Sequence, residues 1–179
     1  ILCRSEWARK IDRAVFPGVQ AGPLMHIIAA KAVAFKEAQS LFFREYQRQI
    51  IRNAHALATS LQEEGFRLVT GGTDNHLMLV DLRNKDITGK EAADLLEEAG
   101  MVVNKNLIPG DERSPDETSG IRPGTPGVTT RGMQEPEMHK IGKLIARVIH
   151  EGRNNDRVLA EVRKEVLELC QAFPIYEHL

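Results

Sequence analysis

Apolar residues recur along this chain with two periods, and each change of period marks the start of a new element. Ile1-Leu2-Cys3 is a short apolar run that reads as a strand, the last of a sheet whose other members lie elsewhere. Ser5 can cap a short helix through Ala8, Ile11 and Val15, ending before Phe16-Pro17. A Gly/Pro-rich turn over 16–23 leads into a helix from about Pro23 to Lys36, with Leu24, Ile27, Ile28, Val33 and Phe35 on its apolar positions. A longer helix over 41–64 carries Phe42, Tyr46, Ile50, Ala54, Leu57 and Leu61 on one stripe and stops at Gly65.

The period then shortens. Phe66–Val69 and His76–Leu82 read as strands joined by the turn Gly71-Gly72-Thr73-Asp74-Asn75. Thr88-Gly89-Lys90-Glu91 has the spacing of a capping box and opens a helix that ends at Gly100. Met101–Val103 and Ser119–Arg122 read as a third and a fourth strand, separated by a long polar loop. Helices over 135–151 and through Val158, Val162, Val166 and Leu169 close the chain. The order β–β–α–β–β flanked by helices predicts an α/β fold over 41–179, with a small, mainly antiparallel sheet covered by helices. Residues 1–40 read as the tail of a preceding domain, and the chain as part of a longer protein.

Composition removes several function classes. The 24 basic and 25 acidic residues leave a net charge of −1 with no basic stripe, so no nucleic-acid or anionic-membrane footprint is expected. No apolar run is long enough to span a bilayer. Cys3 and Cys170 are isolated thiols, and His26, His55, His139, His150 and His178 show no ligand spacing, so neither a disulfide framework nor a metal site is expected. A reducing, cytoplasmic compartment is the default for such a chain.

Chemistry gathers in 98–132. Arg122 stands between Gly120-Ile121 and Pro123-Gly124, and proline restricts both its own φ and the residue before it. A guanidinium on such a backbone suits two-point capture of a carboxylate, although on residue types alone it also reads as a solvated strand arginine. Asn106 and Ser114 sit at and within the long loop, where an asparagine commonly bonds its own backbone. His76 has no nucleophile or paired carboxylate near it in sequence and reads as structural.

Val103-Asn104-Lys105-Asn106, Ser119-Gly120-Ile121-Arg122-Pro123-Gly124-Thr125-Pro126 and Thr129-Thr130-Arg131-Gly132 together resemble the C-terminal signature of the serine hydroxymethyltransferases. Those are pyridoxal-phosphate enzymes of fold type I. Phe16-Pro17-Gly18-Val19-Gln20-Ala21-Gly22-Pro23-Leu24-Met25-His26 and Gly71-Gly72-Thr73-Asp74-Asn75-His76 resemble the same family in the same order. The resemblance implies the C-terminal small domain of such an enzyme, preceded by the end of its large domain. It implies interconversion of serine and glycine with tetrahydrofolate as one-carbon carrier, in a homodimer or a dimer of dimers.

By the same resemblance Arg122 anchors the substrate carboxylate, Asn106 and Ser114 contact the folate, and Gly22 contacts the cofactor phosphate across the dimer. Val19 and Ala21 stand where the family's turn has glycines. The lysine that bonds the cofactor belongs to a Thr-Thr-Thr-Thr-His-Lys motif, and none of Lys31, Lys36, Lys85, Lys90 or Lys105 stands in one. No catalytic residue is therefore expected here, and the isolated chain is expected to be inactive. The alternative is a non-catalytic small-molecule-binding or oligomerisation module of the same α/β order.

Overall fold

The computed structural model describes residues 1–175. Packing divides the chain into one unit, Ile1–Arg44, and a second that begins at Glu45. In the first unit α1 (Ser5–Arg13) runs into a wider turn, Ala14–Val19, in which Phe16 is extended, and α2 (Met25–Ala38) follows. The strand expected at Ile1–Cys3 is absent. Both Ile1 and Leu2 are exposed, and no strand in this unit offers their backbone the ladder that a strand requires. Ser5 does not cap α1 either, because Arg4 occupies the cap position without a side-chain bond.

Helix α3 (Leu41–Glu63) passes from the first unit into the second. Its expected stripe is buried from Ile50 to Leu61, while Phe42, ahead of Glu45, is exposed. Gly65, at φ +77°, takes the left-handed conformation that ends the helix. Strands β1 (Arg67–Leu68), β2 (Val80–Asp81), β3 (Asn104–Asn106) and β4 (Gly120–Arg122) form one antiparallel sheet in the order β1-β2-β4-β3. Leu68, Val80 and Ile121 are joined by the register and are all buried, so that row meets the core.

Helices α4 (Gly89–Glu98), α6 (Glu135–Glu151) and α7 (Asp156–Ala172) pack on one another, and α4 also packs on β3 and β4. Burying one Leu, Ile or Val side chain is worth about 1.5–3 kcal/mol, against about 0–1 kcal/mol for an exposed ion pair. The apolar faces of these helices therefore hold the unit together. α3 meets α6 where Ser60 lies on Gly142. A β-carbon on Gly142 would overlap the Ser60 hydroxyl, which donates to the His139 carbonyl at 3.1 Å.

Three expectations shift. The third strand begins at Asn104, not at Met101, because Met101 N–H donates to the Leu96 carbonyl at 2.7 Å and Gly100 N–H to that of Glu97 at 2.9 Å. Those two bonds, with Gly100 at φ +86°, are the Schellman cap of α4, so this backbone is used before it can join a ladder. Only half of the capping box at Thr88 forms. Thr88 Oγ1 accepts from Glu91 N–H at 3.0 Å, but the Glu91 carboxylate turns to Arg153 in a two-point pair at 2.6 and 2.7 Å. A short helix, α5 (Pro126–Thr130), was not foreseen at the exit from β4. His178 lies outside the described residues.

Candidate functional site

Arg122 is the last residue of β4, paired with Asn104 of β3. Paired residues of an antiparallel ladder share a face, and so do alternate residues along one strand. Arg122, Asn104 and Asn106 therefore stand on one face of the sheet, opposite the face on which Ile121 enters the core. Arg122 is exposed, and among the described residues no carboxylate or carbonyl holds its guanidinium.

The backbone beyond Arg122 is held tightly. Met78 N–H donates to the Pro123 carbonyl at 3.1 Å, Thr125 N–H to that of His76 at 2.9 Å, and Leu77 bridges Gly124. Thr125, fully buried, donates its hydroxyl to the Ile50 carbonyl of α3 at 2.9 Å. Asn53, also fully buried, donates to Thr129 Oγ1 at 2.8 Å and to the Met133 carbonyl at 2.9 Å, and accepts from Gln49 at 2.9 Å. Thr129 in turn donates to the Thr125 carbonyl at 2.8 Å. This satisfied network pins α5 to α3, and through α5 it fixes where β4 ends.

Asn106 closes β3 opposite Gly120 and is half-buried. Its amide donates to the Leu107 carbonyl at 2.7 Å, the local bond usual for asparagine, and its side-chain oxygen takes no partner among the described residues. The loop after it turns at once. Asp111 N–H donates to the Ile108 carbonyl at 3.0 Å across Pro109 and Gly110, with Gly110 at φ +68°, the pattern of a type II turn. Ser114 is exposed in the middle of the loop, and its carbonyl accepts from Glu117 and Thr118.

Asp111, not singled out from sequence, is the anchor of that loop. Its carboxylate accepts from Ile108 N–H at 3.2 Å, Arg113 N–H at 3.0 Å, Ser119 N–H at 2.8 Å and Ser119 Oγ at 2.7 Å. Burial pushes its pKa up, and these donors together more than reverse that, holding it down at about 2. The loop is pinned from a second side by α4, whose first amides donate from Gly89 to Thr118 at 3.0 Å and from Lys90 to Glu117 at 2.8 Å. Thr118 itself sits at φ +55°, an unusual conformation for a β-branched residue, kept by these bonds around it.

On the same face lies Asp81, paired with Gly120. Its buried carboxylate is bonded by Arg83 at 2.8 Å and reached by Arg67 at 3.3 Å, and the Arg83 bond holds its pKa below the usual range. A groove of about 250 Å³ runs past Met101, Val103, Pro123, Val128 and Met133, with Arg131 in its wall tied to the Phe173 carbonyl at 3.0 Å. Among the described residues no group of His, Cys, Asp and Glu side chains is placed to hold a metal ion, and no helix is long and apolar enough to cross a membrane. His76 shows no shared geometry with a nucleophile; it lends its carbonyl to Thr125.

In the first unit Gly22 lies in the open turn before α2, and nothing stands within 4 Å of where a β-carbon would be. The start of α2 has no side-chain cap, so its first amides remain available to an anion, as does the backbone of the turn. That arrangement fits a phosphate group.

Of the residues singled out from sequence, Arg122 and Asn106 are thus brought to one face of one strand pair, with Ser114 on the loop joining the two strands. Asp111, Asn53 and Thr125 were missed. Asp111 had a signal in the Pro-Gly-Asp turn, since Asp readily bonds the amide two residues on. The buried Asn53 and Thr125 had none, because a single polar residue in a helix reads as a surface position and a threonine between glycine and proline reads as part of an exposed turn.

A family model described as serine hydroxymethyltransferase matches residues 3–145. The chain is also similar to the serine hydroxymethyltransferase of Myxococcus xanthus (strain DK1622), at 55% identity over 176 residues, 98% of this chain and 42% of that protein. The chain spans about two fifths of the length of this curated relative.

Proposed function

The chain belongs to the serine hydroxymethyltransferase family, and from that premise we propose that it supplies the substrate-orienting and folate-contacting part of such an enzyme. In the complete protein the reaction is the interconversion of serine and glycine with tetrahydrofolate as one-carbon carrier. The single observation that carries this reading is the Arg122 guanidinium, exposed on a backbone braced by hydrogen bonds and without a partner among the described residues.

Arg122 takes the amino acid's carboxylate in a two-point, charge-assisted pair. Because its backbone is already fixed, little ordering remains to oppose binding. Holding the carboxylate decides which bond at Cα is presented for cleavage, which is an orientation effect on rate as well as on affinity. Asn106 offers folate an unused side-chain oxygen beside an amide that can be shared, and Ser114 adds a hydroxyl on the same loop. The turn at Gly22 and the start of α2 hold the phosphate of pyridoxal phosphate, contributed by one protomer to its partner in a homodimer. Pyridoxal phosphate, when bound, supplies an electron sink for bond breaking at Cα. The lysine that bonds it is not one of those in the stretch described, so this stretch alone is inactive. The apolar residues of α2, none of them buried within its own unit, suit association with further protein.

The test is glycine binding and serine cleavage by full-length protein carrying Arg122→Ala or Arg122→Lys. Losing a charge-assisted contact costs about 1.5–3 kcal/mol, roughly one to two decades of affinity. Arg122→Lys keeps the charge but loses the planar fork and recovers only part. Glycine affinity near that of the unsubstituted protein in both variants overturns the assignment. Borohydride reduction of the isolated chain with pyridoxal phosphate should label no lysine stoichiometrically, and one fully labelled lysine overturns its inactivity.

A further inference from the structure

We infer that Asp111 is the positioning residue of the folate subsite, acting through the loop that it closes and not through contact with folate. This inference rests on the reading of Asn106 and Ser114 as folate contacts. One carboxylate ties three points of the loop together: Ile108, two residues after Asn106; Arg113, next to Ser114; and Ser119, next to β4. With all four bonds made, Asn106 and Ser114 hold a fixed relation to each other. Without them, the thirteen residues between β3 and β4, 107 to 119, are tied to the rest of the fold by the α4 amides, the Lys105 bond to the Asp116 carbonyl, the Leu82 amide on the Ser119 carbonyl and the Thr118 hydroxyl on the Gly120 carbonyl, and to one another by short turns.

The dependence is selective. Arg122 is held by β2, β3 and the Thr125–Ile50 bond, none of which involves Asp111. Loosening the loop therefore weakens folate capture and leaves the carboxylate anchor in place. A residue that merely stabilised the fold would weaken both ligands together.

The experiment uses the full-length holoenzyme and compares Asp111→Ala, Asp111→Asn, Ser119→Ala and Asn106→Ala, with thermal unfolding recorded for each. Tetrahydrofolate affinity should fall about tenfold or more in Asp111→Ala and Asp111→Asn, since the asparagine amide turns donors toward donors. It should fall a few-fold in Ser119→Ala, which removes one bond of four. Glycine affinity should stay within about twofold of the parent in all three. Folate affinity unchanged in both Asp111 variants, or a parallel loss of glycine affinity, overturns the inference. If Asn106→Ala alone leaves folate binding intact, the Asn106 assignment falls and the positioning role stands. If Asn106→Ala weakens folate and the Asp111 variants do not, the positioning role falls and the subsite reading stands.

Discussion

Gly89 and Gly120 lie so close that a β-carbon on Gly89 would overlap the Gly120 carbonyl oxygen, and the Thr118 hydroxyl beside it. The first residue of α4 is thereby set directly on the entry to β4, where its amide reaches the Thr118 carbonyl at 3.0 Å. A backbone oxygen has nowhere to retreat. Gly89→Ala should therefore force α4 away from the loop, break the Gly89 and Lys90 bonds, and destabilise the protein by about 1–3 kcal/mol. Thermal or denaturant unfolding checks this, and an unchanged midpoint would show that the contact is loose.

That contact also shows how far sequence could reach. The elements of long period were legible: α3, α4 and α6 lie within a residue or two of their expected bounds and α7 contains all four of its expected apolar positions, because an amphipathic stripe repeated over several turns leaves little ambiguity. The strands were less so. Regular pairing in β1 to β4 covers two or three residues each, too few for a period of two to show itself. Glycine 89 was read as part of a capping box, and nothing local says that another chain segment crosses at its α-carbon. The site was legible through Arg122 and Asn106, whose neighbours carry a family pattern. Of its supports, Asn53 and Thr125 act through bonds to residues 80 and 75 positions away and left no local trace, whereas Asp111 acts within eight positions and left only the Pro-Gly-Asp turn.

Acid should open the loop between β3 and β4. The Asp111 pKa in the folded protein, about 2, lies below the ordinary value near 4. Its ionised form is thus favoured by folding, and that stability is complete above pH of about 4 and lost as the pH falls through about 2. The difference in unfolding free energy between the parent and Asp111→Asn should be constant above that window and shrink within it. A difference that does not change with acid would mean that the carboxylate titrates alike in folded and unfolded chains.

His150 should resist protonation. Its ring stacks on Phe66 with centroids 5.5 Å apart and planes within 5°, while the Lys85 ammonium sits 4.7 Å from the other ring. Burial, and then the Lys85 charge, hold its pKa below the usual histidine value. Since the neutral ring is the form favoured by folding, this contribution is present above about pH 6.5 and declines as the pH falls below it. Titration followed by NMR should find the midpoint below that value, rising in part on Lys85→Gln. A midpoint at or above it in the parent would contradict the account.

The buried network behind Arg122 should couple stability to substrate binding. Asn53→Ala takes the side-chain donor from the Met133 carbonyl and one of two acceptors from the Gln49 amide, which keeps Glu135, and removing one member of a buried polar pair costs about 1–3 kcal/mol. Thr125→Val keeps the shape and removes only the hydroxyl that reaches Ile50, at about 1 kcal/mol. Both side chains tie the same stretch, 125–133, to α3, so the double variant should cost less than the sum of the singles. Both changes release α5 from α3, and α5 begins four residues after Arg122. In full-length protein glycine affinity should therefore drop with Asn53→Ala and, less, with the folded Thr125→Val variant, while Arg122 itself is untouched. The valine variant decides the matter, since its fold survives: an unchanged glycine affinity there would show that β4 holds its arginine without help from the helices behind it.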